Sequence, residues 1–264
     1  MFTNPLPTSL SPSRLADFES CPRKFQYASV ERIPQPTSYV LTKGNFVHKV
    51  LELLYALAPA ERTRAAAEAL LPTVVTLELT DEVRADLAMD DAMESRMLDE
   101  ARVLLDTYFT IEDPTTVATE GVELWVVGEI DGVPLRGIID RLDREADGSL
   151  TIVDYKTGSA PRPGYESSAF AATELYAALC QEQLGETPAR IRLLYLGARH
   201  EELPRVVSPR NVNARKNAAV AAWGIIQESY ARGSFTAKPS ANACRFCAFK
   251  ERCRDSGVRV VGGS

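Results

Sequence analysis

Two short runs decide how we expect this chain to fold: GIIDRLD at residues 137–143 and TIVDYKTG at residues 151–158. Apolar residues carry both runs, and Asp147-Gly148 between them is a strong signal for a two-residue turn. The pattern predicts a hairpin of half-buried strands. Pairing of the two strands would bring the carboxylates of Asp140 and Asp154 together, although they are far apart along the chain.

The two carboxylates are a candidate site for a divalent cation, because hard cations prefer oxygen ligands. Side chains alternate along a strand, so Lys156 projects from the same face as Asp154. On these residues alone, the competing interpretation is a pair of solvated strand ends.

Composition sets the class of protein. The chain has 264 residues, of which 45% are hydrophobic, so it can bury a substantial core, and we expect residues 1–264 to form a single domain. The net charge of −6 means that any phosphate-binding surface is a local groove. The first ten residues do not resemble a signal peptide and no run is long enough to span a bilayer, so we expect a cytoplasmic protein without a membrane partner.

Hydrophobic periodicity predicts a mixed α/β fold. Three strands in series, at 121–130, 133–139 and 150–156, form an antiparallel meander, and a helix and a further strand follow at 168–184 and 190–196. Residues 59–110 form a helical insertion that Pro72 and the acidic segment 81–91 interrupt. Further helices are predicted after the Ser11-Pro12 cap signal, over 44–57, and over 212–231.

Two more polar residues concern the carboxylate pair. His48 lies on the predicted helix 44–57 and shares a face with Glu52, and such a histidine is usually structural unless carboxylates lie nearby. Glu123, on the first strand of the meander, points either toward the acidic pair or outward at its rim.

The cysteines form a second group of candidate metal ligands. Cys244, Cys247 and Cys253 follow a C-x2-C-x5-C pattern, and a metal site needs a fourth ligand, for which Cys21 is the candidate. We therefore predict metal-binding segments at 11–25 and 239–255, which would close a very long loop. Spacing alone fits either structural zinc or a 4Fe-4S cluster. The fifth cysteine, Cys180, is predicted to be a small buried residue within its helix.

These motifs together resemble a known family. Gly44-x3-His48, Gly137-x2-Asp140-Arg141, Asp154-Tyr155-Lys156 and the four cysteines resemble, in content and order, the RecB-like exonucleases of the PD-(D/E)xK superfamily. The resemblance is closest to the iron-sulfur branch, which includes the AddB nuclease domain and the CRISPR-associated adaptation exonucleases. It covers the chain from Ser11 to Cys253 and implies a restriction-endonuclease-like mixed sheet flanked by helices.

The resemblance implies a metal-dependent DNA exonuclease of repair or recombination that acts on single strands or free ends. A helicase is the further partner that we expect. The same resemblance implies that His48, Asp140, Asp154 and the backbone carbonyl of Tyr155 hold Mg²⁺ or Mn²⁺, with catalysis by Asp140, Asp154 and Lys156. A 4Fe-4S cluster on Cys21, Cys244, Cys247 and Cys253 becomes the expected cofactor, with zinc as the alternative. Tyr176 and Arg141 become candidate substrate contacts.

One departure separates the chain from the family pattern. The family carries Gln-x3-Tyr on the helix after the catalytic strand, and here Tyr176 fits the tyrosine, whereas Ala172 replaces the glutamine. Thr173 or Glu174 is a possible substitute at a different helical angle. The departure favours, as an alternative function, a catalytically weak DNA-binding module of nuclease fold that serves a helicase partner. A sugar- or nucleotide-processing hydrolase is a third reading of the carboxylates, without a phosphate-cradling glycine loop.

Overall fold

The structure is a computed structural model and describes residues 2–255, apart from the side chain of residue 242. Its centre is a five-stranded sheet in the order β1-β2-β3-β4-β5. Strand β2 pairs antiparallel with β3, β3 pairs parallel with β4, and β4 pairs antiparallel with β5. The strands are β1 Thr119–Ile130, β2 Val133–Arg144, β3 Leu150–Lys156, β4 Arg190–Tyr195 and β5 Glu201–Val206.

Nine α-helices accompany the sheet within the described residues. A π-helical turn follows α2, and short 3₁₀ turns precede α4, β1 and α7. The helices are α1 Pro12–Ser20, α2 Pro22–Phe25, α3 Tyr39–Tyr55, α4 Arg64–Glu78, α5 Asp81–Leu87, α6 Asp91–Ile111, α7 Ala171–Leu184, α8 Pro209–Ala231 and α9 Ala241–Arg245. Together with the sheet they confirm the predicted mixed α/β class.

The hairpin that decided the sequence interpretation is present. In its register Arg141 lies opposite Val153 and Asp143 lies opposite Thr151, so the pairing is antiparallel as predicted. The parallel step from β3 to β4 requires a crossover connection, and α7 supplies it. Every side chain of β3 except that of Lys156 is buried, because the strand lies in the middle of the sheet.

The described chain forms two compact units. The sheet unit comprises residues 36–126 and 138–212, and the cysteine unit comprises residues 2–35, 127–137 and 213–255. The core of the sheet unit includes Phe46, Leu51, Tyr108 and Leu194. The rings of Phe2, Phe18, Phe25 and Phe235 pack in a chain of contacts inside the cysteine unit.

Two predictions about the helices need correction. Pro72 does not interrupt α4, because Leu71 and Val74 are buried on either side of it and hold the helix against its neighbours. The acidic segment 81–91 is not a plain break either: it contains α5, which Thr80 caps, and Asp90 caps the start of α6. The insertion at 59–110 is helical, as predicted, and the single domain of 264 residues stays a prediction whose residues 1 and 256–264 lie outside the described range.

Candidate active site

The hairpin brings Asp140 and Asp154 to one site. The register of β2 and β3, continued by one position, places the two residues opposite each other. The backbone N–H of Tyr155 donates a hydrogen bond of 2.8 Å to Asp140 Oδ2 and so fixes this carboxylate beside β3. The carboxylates that the sequence predicted to meet therefore share one face of the hairpin.

Lys156 and Asp154 form the inner ion pair of the site. Lys156 Nζ lies 2.6 Å from Asp154 Oδ2, on the face that strand alternation predicted. Burial raises the pKa of Asp154 to about 6, with Lys156 lowering it and Asp140 raising it. Burial acts to lower the pKa of Lys156, but the Asp154 carboxylate outweighs this effect and raises it, so the side chain is an ammonium at neutral pH.

α3 delivers His48 to the carboxylates. Its Nδ1 lies 3.5 Å from Asp140 Oδ2, and its ring packs edge-to-face on Tyr155. Burial acts to lower the pKa of His48, but the hydrogen bond and charge of Asp140 outweigh this and raise it. Gly44, one turn earlier, lets α3 approach β3 closely, because a Cβ there would stand 3.3 Å from Thr157 Oγ1.

Glu123 belongs to the site, and the sequence left its direction open. One ligand atom each from His48, Glu123 and Asp140 can be chosen so that all three lie within 4.8 Å of one another. The backbone of Glu123 is left-handed, with φ +45°, within β1. Its place on the first strand of the meander is the only sequence signal that favoured an inward direction.

The residues of the site fit a hard divalent cation. Asp154 is 8% exposed, and its Oδ2 has no contact with solvent and accepts no well-aligned hydrogen bond from residues 2–255. Lys156 Nζ, at 2.6 Å, is the cationic neighbour of this oxygen. The carboxylate oxygens of Asp140 and Asp154, beside the imidazole of His48, form the kind of donor set that binds Mg²⁺ or Mn²⁺. The predicted role of the Tyr155 carbonyl stays a prediction.

Arg141 lies on the opposite face of β2 and is fully buried. Its guanidinium donates to Asp143, to both oxygens of Glu112 at 2.7 and 2.9 Å, and to the hydroxyls of Tyr55 and Tyr155. Burial acts to lower the pKa of Arg141, but Tyr155 and Glu112 outweigh it and raise it. With every donor engaged inside the protein, this position does not support the predicted contact between Arg141 and substrate.

α7 carries the departure from the family pattern. Tyr176 lies near Asp154 and Asp140, and burial, strengthened by these carboxylates, raises its pKa. Thr173 Oγ1 donates to the Phe170 carbonyl at 3.0 Å, and Glu174 pairs with Arg205 at 2.9 Å. Both side chains are buried in these contacts, so neither replaces the amide that is missing at Ala172.

In the cysteine unit, Cys21, Cys244, Cys247 and Cys253 line one cavity, together with the basic side chains of residues 23, 24, 238 and 250. The backbone N–H of Lys238 donates to Cys21 Sγ at 3.3 Å. The structure therefore brings together the four cysteines that the sequence grouped. Cys180 is buried on α7 as predicted, and burial, with a smaller effect of Glu186, raises its pKa to about 12.

None of the helices within residues 2–255 is long and apolar enough to cross a membrane.

Comparisons with known proteins identify several similar chains. The "Gene 69 protein" of Mycobacterium phage D29 is 24% identical over 140 residues, which are 53% of this chain and 49% of the relative. The chain thus matches about half the length of this curated relative. A Eubacterium rectale structure named "Putative exonuclease" superposes with a TM-score of 0.55 at 14% identity, covering 97% of this chain and 90% of that one.

The crystal structure of SSO0001 superposes with a TM-score of 0.46 at 12% identity, and the match covers 95% of this chain and 88% of that one. The family model of the PD-(D/E)XK nuclease superfamily matches residues 9–254, which is nearly the whole chain and includes the hairpin and all four cavity cysteines. The chain therefore belongs to the PD-(D/E)XK nuclease superfamily.

Proposed function

We propose that this chain is a metal-dependent exonuclease that hydrolyses phosphodiester bonds in DNA. The observation that carries the proposal is the convergence of His48, Asp140, Asp154 and Lys156 from α3, β2 and β3 on one site. A protein that used this fold as a scaffold alone would have no need for all four side chains. Membership of the nuclease superfamily supports the same reaction class.

The metal ligands in this proposal are His48, Asp140, Asp154 and the backbone carbonyl of Tyr155. A bound Mg²⁺ or Mn²⁺ lowers the pKa of a coordinated water and neutralises charge on a phosphate oxygen. Histidine is a less usual ligand for Mg²⁺ than for Mn²⁺, so we expect the site to prefer Mn²⁺.

Lys156 completes the chemistry. Hydrolysis joins a water oxygen to phosphorus, breaks one P–O ester bond and passes a proton to the leaving oxygen. The Lys156 ammonium, held by Asp154 at 2.6 Å, donates to the attacking water or to a phosphate oxygen and matches the negative charge that develops there. The backbone N–H of Tyr155 holds the second carboxylate, that of Asp140, in place during this step.

The four cavity cysteines support a second cofactor. We assign a 4Fe-4S cluster to Cys21, Cys244, Cys247 and Cys253, with zinc as the alternative, and place the chain with the RecB-like and AddB-like enzymes of the iron-sulfur branch. The basic cavity lining and the N–H bond to Cys21 suit a negatively charged thiolate cluster. Anaerobically purified protein should be brown, with absorption near 400 nm. Colourless protein with one zinc per chain would contradict the cluster.

The substrate and setting follow from the resemblance to that branch. We propose single-stranded DNA or DNA with free ends as substrate, with Tyr176 as a contact beside the carboxylates. A role in cytoplasmic DNA repair or recombination, with a helicase partner, accords with the same branch.

The direct test incubates end-labelled single- and double-stranded DNA with Mn²⁺ and the wild-type chain, Asp154→Asn or Lys156→Met. We expect nucleotides to be released from the ends by the wild type and not by either variant. Equal cleavage by both variants would place the active site elsewhere. DNA binding without cleavage by the wild type would favour the alternative of a DNA-binding module.

A further inference from the structure

Positive charge is concentrated in the cysteine unit, although the chain as a whole is acidic. Within the described residues that unit carries 13 Lys and Arg against 8 Asp and Glu, whereas the sheet unit carries 16 against 28. A local excess of positive charge is where an acidic protein can bind a polyanion. The cysteine unit is therefore the better candidate for phosphate contacts outside the metal site.

The arginine cluster of this unit consists of Arg14 on α1, Arg32 after the π-helical turn and Arg136 on β2. Burial lowers the pKa of Arg14, and the charges of Arg136 and then Arg32 lower it further, so the three guanidiniums are near neighbours. Within residues 2–255 none of the three forms an ion pair. The repulsion within the cluster is therefore not compensated by carboxylates of the described chain.

Backbone hydrogen bonds hold two members of the cluster together. The N–H of Leu10 donates to the carbonyl of Pro134 at 2.8 Å, and the N–H of Arg136 donates to the carbonyl of Leu10 at 3.0 Å. The guanidinium of Arg14 donates to the carbonyl of Ser9 at 2.8 Å. Two arginines that are distant along the chain are thereby attached to neighbouring residues.

Arg32 has an unusual backbone conformation. Its φ of +55° lies in the left-handed region, which a long side chain rarely adopts. The carbonyl of the preceding residue, Glu31, accepts a hydrogen bond of 3.0 Å from the Asn4 side chain, and the Glu31 carboxylate accepts from Gln26. The acidic residue next to Arg32 along the chain therefore has another partner. A costly conformation that keeps a cation beside two other cations points to a function.

The start of α1 adds to the positive field. Arg14 lies in the first turn of this helix, which has no acidic residue there, behind the cap that Ser11 provides. The N-terminal end of a helix carries partial positive charge and favours anions, so a cation at this end is unfavourable by itself. The hydroxyl of Ser9 is buried and has no hydrogen-bond partner within the described chain. These features favour a phosphate group beside Arg14.

We propose that Arg14, Arg32 and Arg136 bind a phosphate of the DNA backbone and hold the strand independently of its sequence. The inference rests on the proposed function and adds a substrate contact outside the metal ligands. Arginine suits this role because its planar guanidinium binds phosphate through paired hydrogen bonds. Phosphates position a nucleic acid without reporting its sequence. Arg136 lies on β2, the strand that carries Asp140 four residues later, so one strand contributes to both sites.

The first test measures binding without cleavage. Labelled oligothymidylate is titrated with the anaerobically purified full-length chain in EDTA, and fluorescence anisotropy is recorded from low to high salt. The variants are Arg32→Gln and Arg136→Gln, which remove exposed charges, and Arg232→Gln, the same change at another exposed arginine of this unit.

We expect Arg32→Gln and Arg136→Gln each to weaken binding about fivefold at about 0.1 M salt. Each should also reduce the slope of log affinity against log salt by about 0.7, the value of one phosphate contact on a single strand. Arg232→Gln should change neither quantity. Unchanged binding in the first two variants, or an equal loss in Arg232→Gln, would overturn the site.

A second probe separates a backbone contact from a site for free phosphate. Oligothymidylate with uncharged methylphosphonate linkages should bind the wild type and Arg136→Gln equally, because it lacks the charge that the arginine binds. Inorganic phosphate is titrated by calorimetry in parallel. Tight binding of inorganic phosphate by the wild type, with DNA binding unchanged in Arg136→Gln, would overturn the contact with DNA.

Charge reversal tests whether the arginines are neighbours. Arg136→Glu supplies a carboxylate to Arg14 and Arg32, so we expect it to melt above the wild type and to bind DNA more weakly than Arg136→Gln. Arg232→Glu is the matched control, and its melting temperature should not rise. If Arg136→Glu melted below Arg136→Gln, the three guanidiniums would not form a cluster.

Failure of this inference differs from failure of the proposed function. A chain whose binding in EDTA depends on Arg32 and Arg136, and that cleaves no DNA in Mn²⁺, would retain this site and lose the exonuclease. A chain that releases nucleotides from DNA ends, with binding unchanged in both variants, would retain the exonuclease and lose this site. Where both hold, the variants should require more DNA for half-maximal cleavage and keep the rate at saturation, because the contact is equal in ground and transition states.

Discussion

The two faces of the β2–β3 hairpin carry charge in opposite ways. On one face, Arg141 is completely buried and its charge is matched by Glu112 and Asp143 at 2.7–2.9 Å. On the other face, Asp140 and Asp154 have Lys156 and His48 as basic neighbours, while Glu123 adds a further carboxylate. A charge network that is complete in itself stabilises one arrangement of the chain, whereas an incomplete one is suited to receive a cation.

The largest expected effect concerns the activity that depends on the face carrying Asp140 and Asp154. Asp154→Asn should lower the rate of DNA cleavage by about a thousandfold, because it removes a metal ligand and the partner of Lys156. The same change should alter the unfolding midpoint little, because burial disfavours the Asp154 carboxylate whereas loss of its ion pair disfavours the Lys156 ammonium. Single-turnover cleavage and urea unfolding in EDTA measure the two quantities. A large loss of stability would show that Asp154 is a structural residue.

The next effect concerns the stability that the opposite face, with its buried Arg141, gives to the fold. Arg141→Met should lower the free energy of unfolding by about 3–5 kcal/mol, because it leaves Asp143 buried without its cation and Glu112 with Arg192 alone. Arg144→Met is the matched control on the same strand. Its side chain is 36% exposed and its pairs with Glu120 and Glu186 lie at the surface, so the loss should stay below about 1 kcal/mol. Equal losses in the two variants would remove the distinction between the faces.

Acid should weaken the buried charge network around Arg141 as the pH falls from 4.5 toward 2. Burial acts to raise the pKa of Glu112, but Arg141 and Arg192 outweigh it and lower the pKa from 4.5 to about 2. A carboxylate with a lowered folded-state pKa stabilises the protein above pH 4.5 and loses that contribution as the pH falls toward 2, here roughly 3 kcal/mol.

The difference in unfolding free energy between the wild type and Glu112→Gln isolates this contribution. Asp143 acts in the opposite direction, because burial raises its pKa, but it is present in both proteins. The stability advantage of the wild type should therefore shrink between pH 4.5 and pH 2. A constant difference across this range would mean that Glu112 is not ionised through its pairs with arginine.

The smallest effect concerns the backbone where β3 leaves the site. A Cβ at Gly197 would stand 2.5 Å from the carbonyl oxygen of Gly158, so Gly197→Ala should cost about 1–3 kcal/mol and displace the strand end after Lys156. Gly158→Ala is the matched control, because a Cβ there meets nothing within 4 Å. Urea unfolding should separate the two variants, and equal stability would show that the close approach relaxes at little cost.

Much of the site could be predicted from local sequence. Turn chemistry at Asp147-Gly148 and strand alternation predicted the hairpin and the common face of Asp154 and Lys156, and both are present. The Ser11-Pro12 signal predicted a helix start, and Ser11 Oγ accepts from the Arg14 N–H. These features depend on residues that are close along the chain.

Other features escaped the sequence because their signals are weak or compete. The strand β5 was not predicted, since Pro204 interrupts its pattern, which is tolerated at the edge of a sheet. α3 begins at Tyr39 behind the Ser38 cap, five residues before the predicted start at Gly44. Pairing with β4 decided β5, whereas the start of α3 follows the local cap at Ser38, because Val40 and Leu41 in its first turn are exposed.

The sequence by itself determined the candidate reacting groups, since a hairpin with Asp140, Asp154 and Lys156 on one face follows from periodicity and one turn. Tertiary structure alone decided the partners of these groups. Arg141 meets Glu112 across 29 residues, and Arg192 meets the same carboxylate across 80, so no local pattern could show that Arg141 is buried. Glu123 likewise joins His48 and Asp140 only when β1, α3 and β2 come together. Short-range rules fix which face a side chain occupies, whereas burial and charge compensation depend on residues that are distant along the chain.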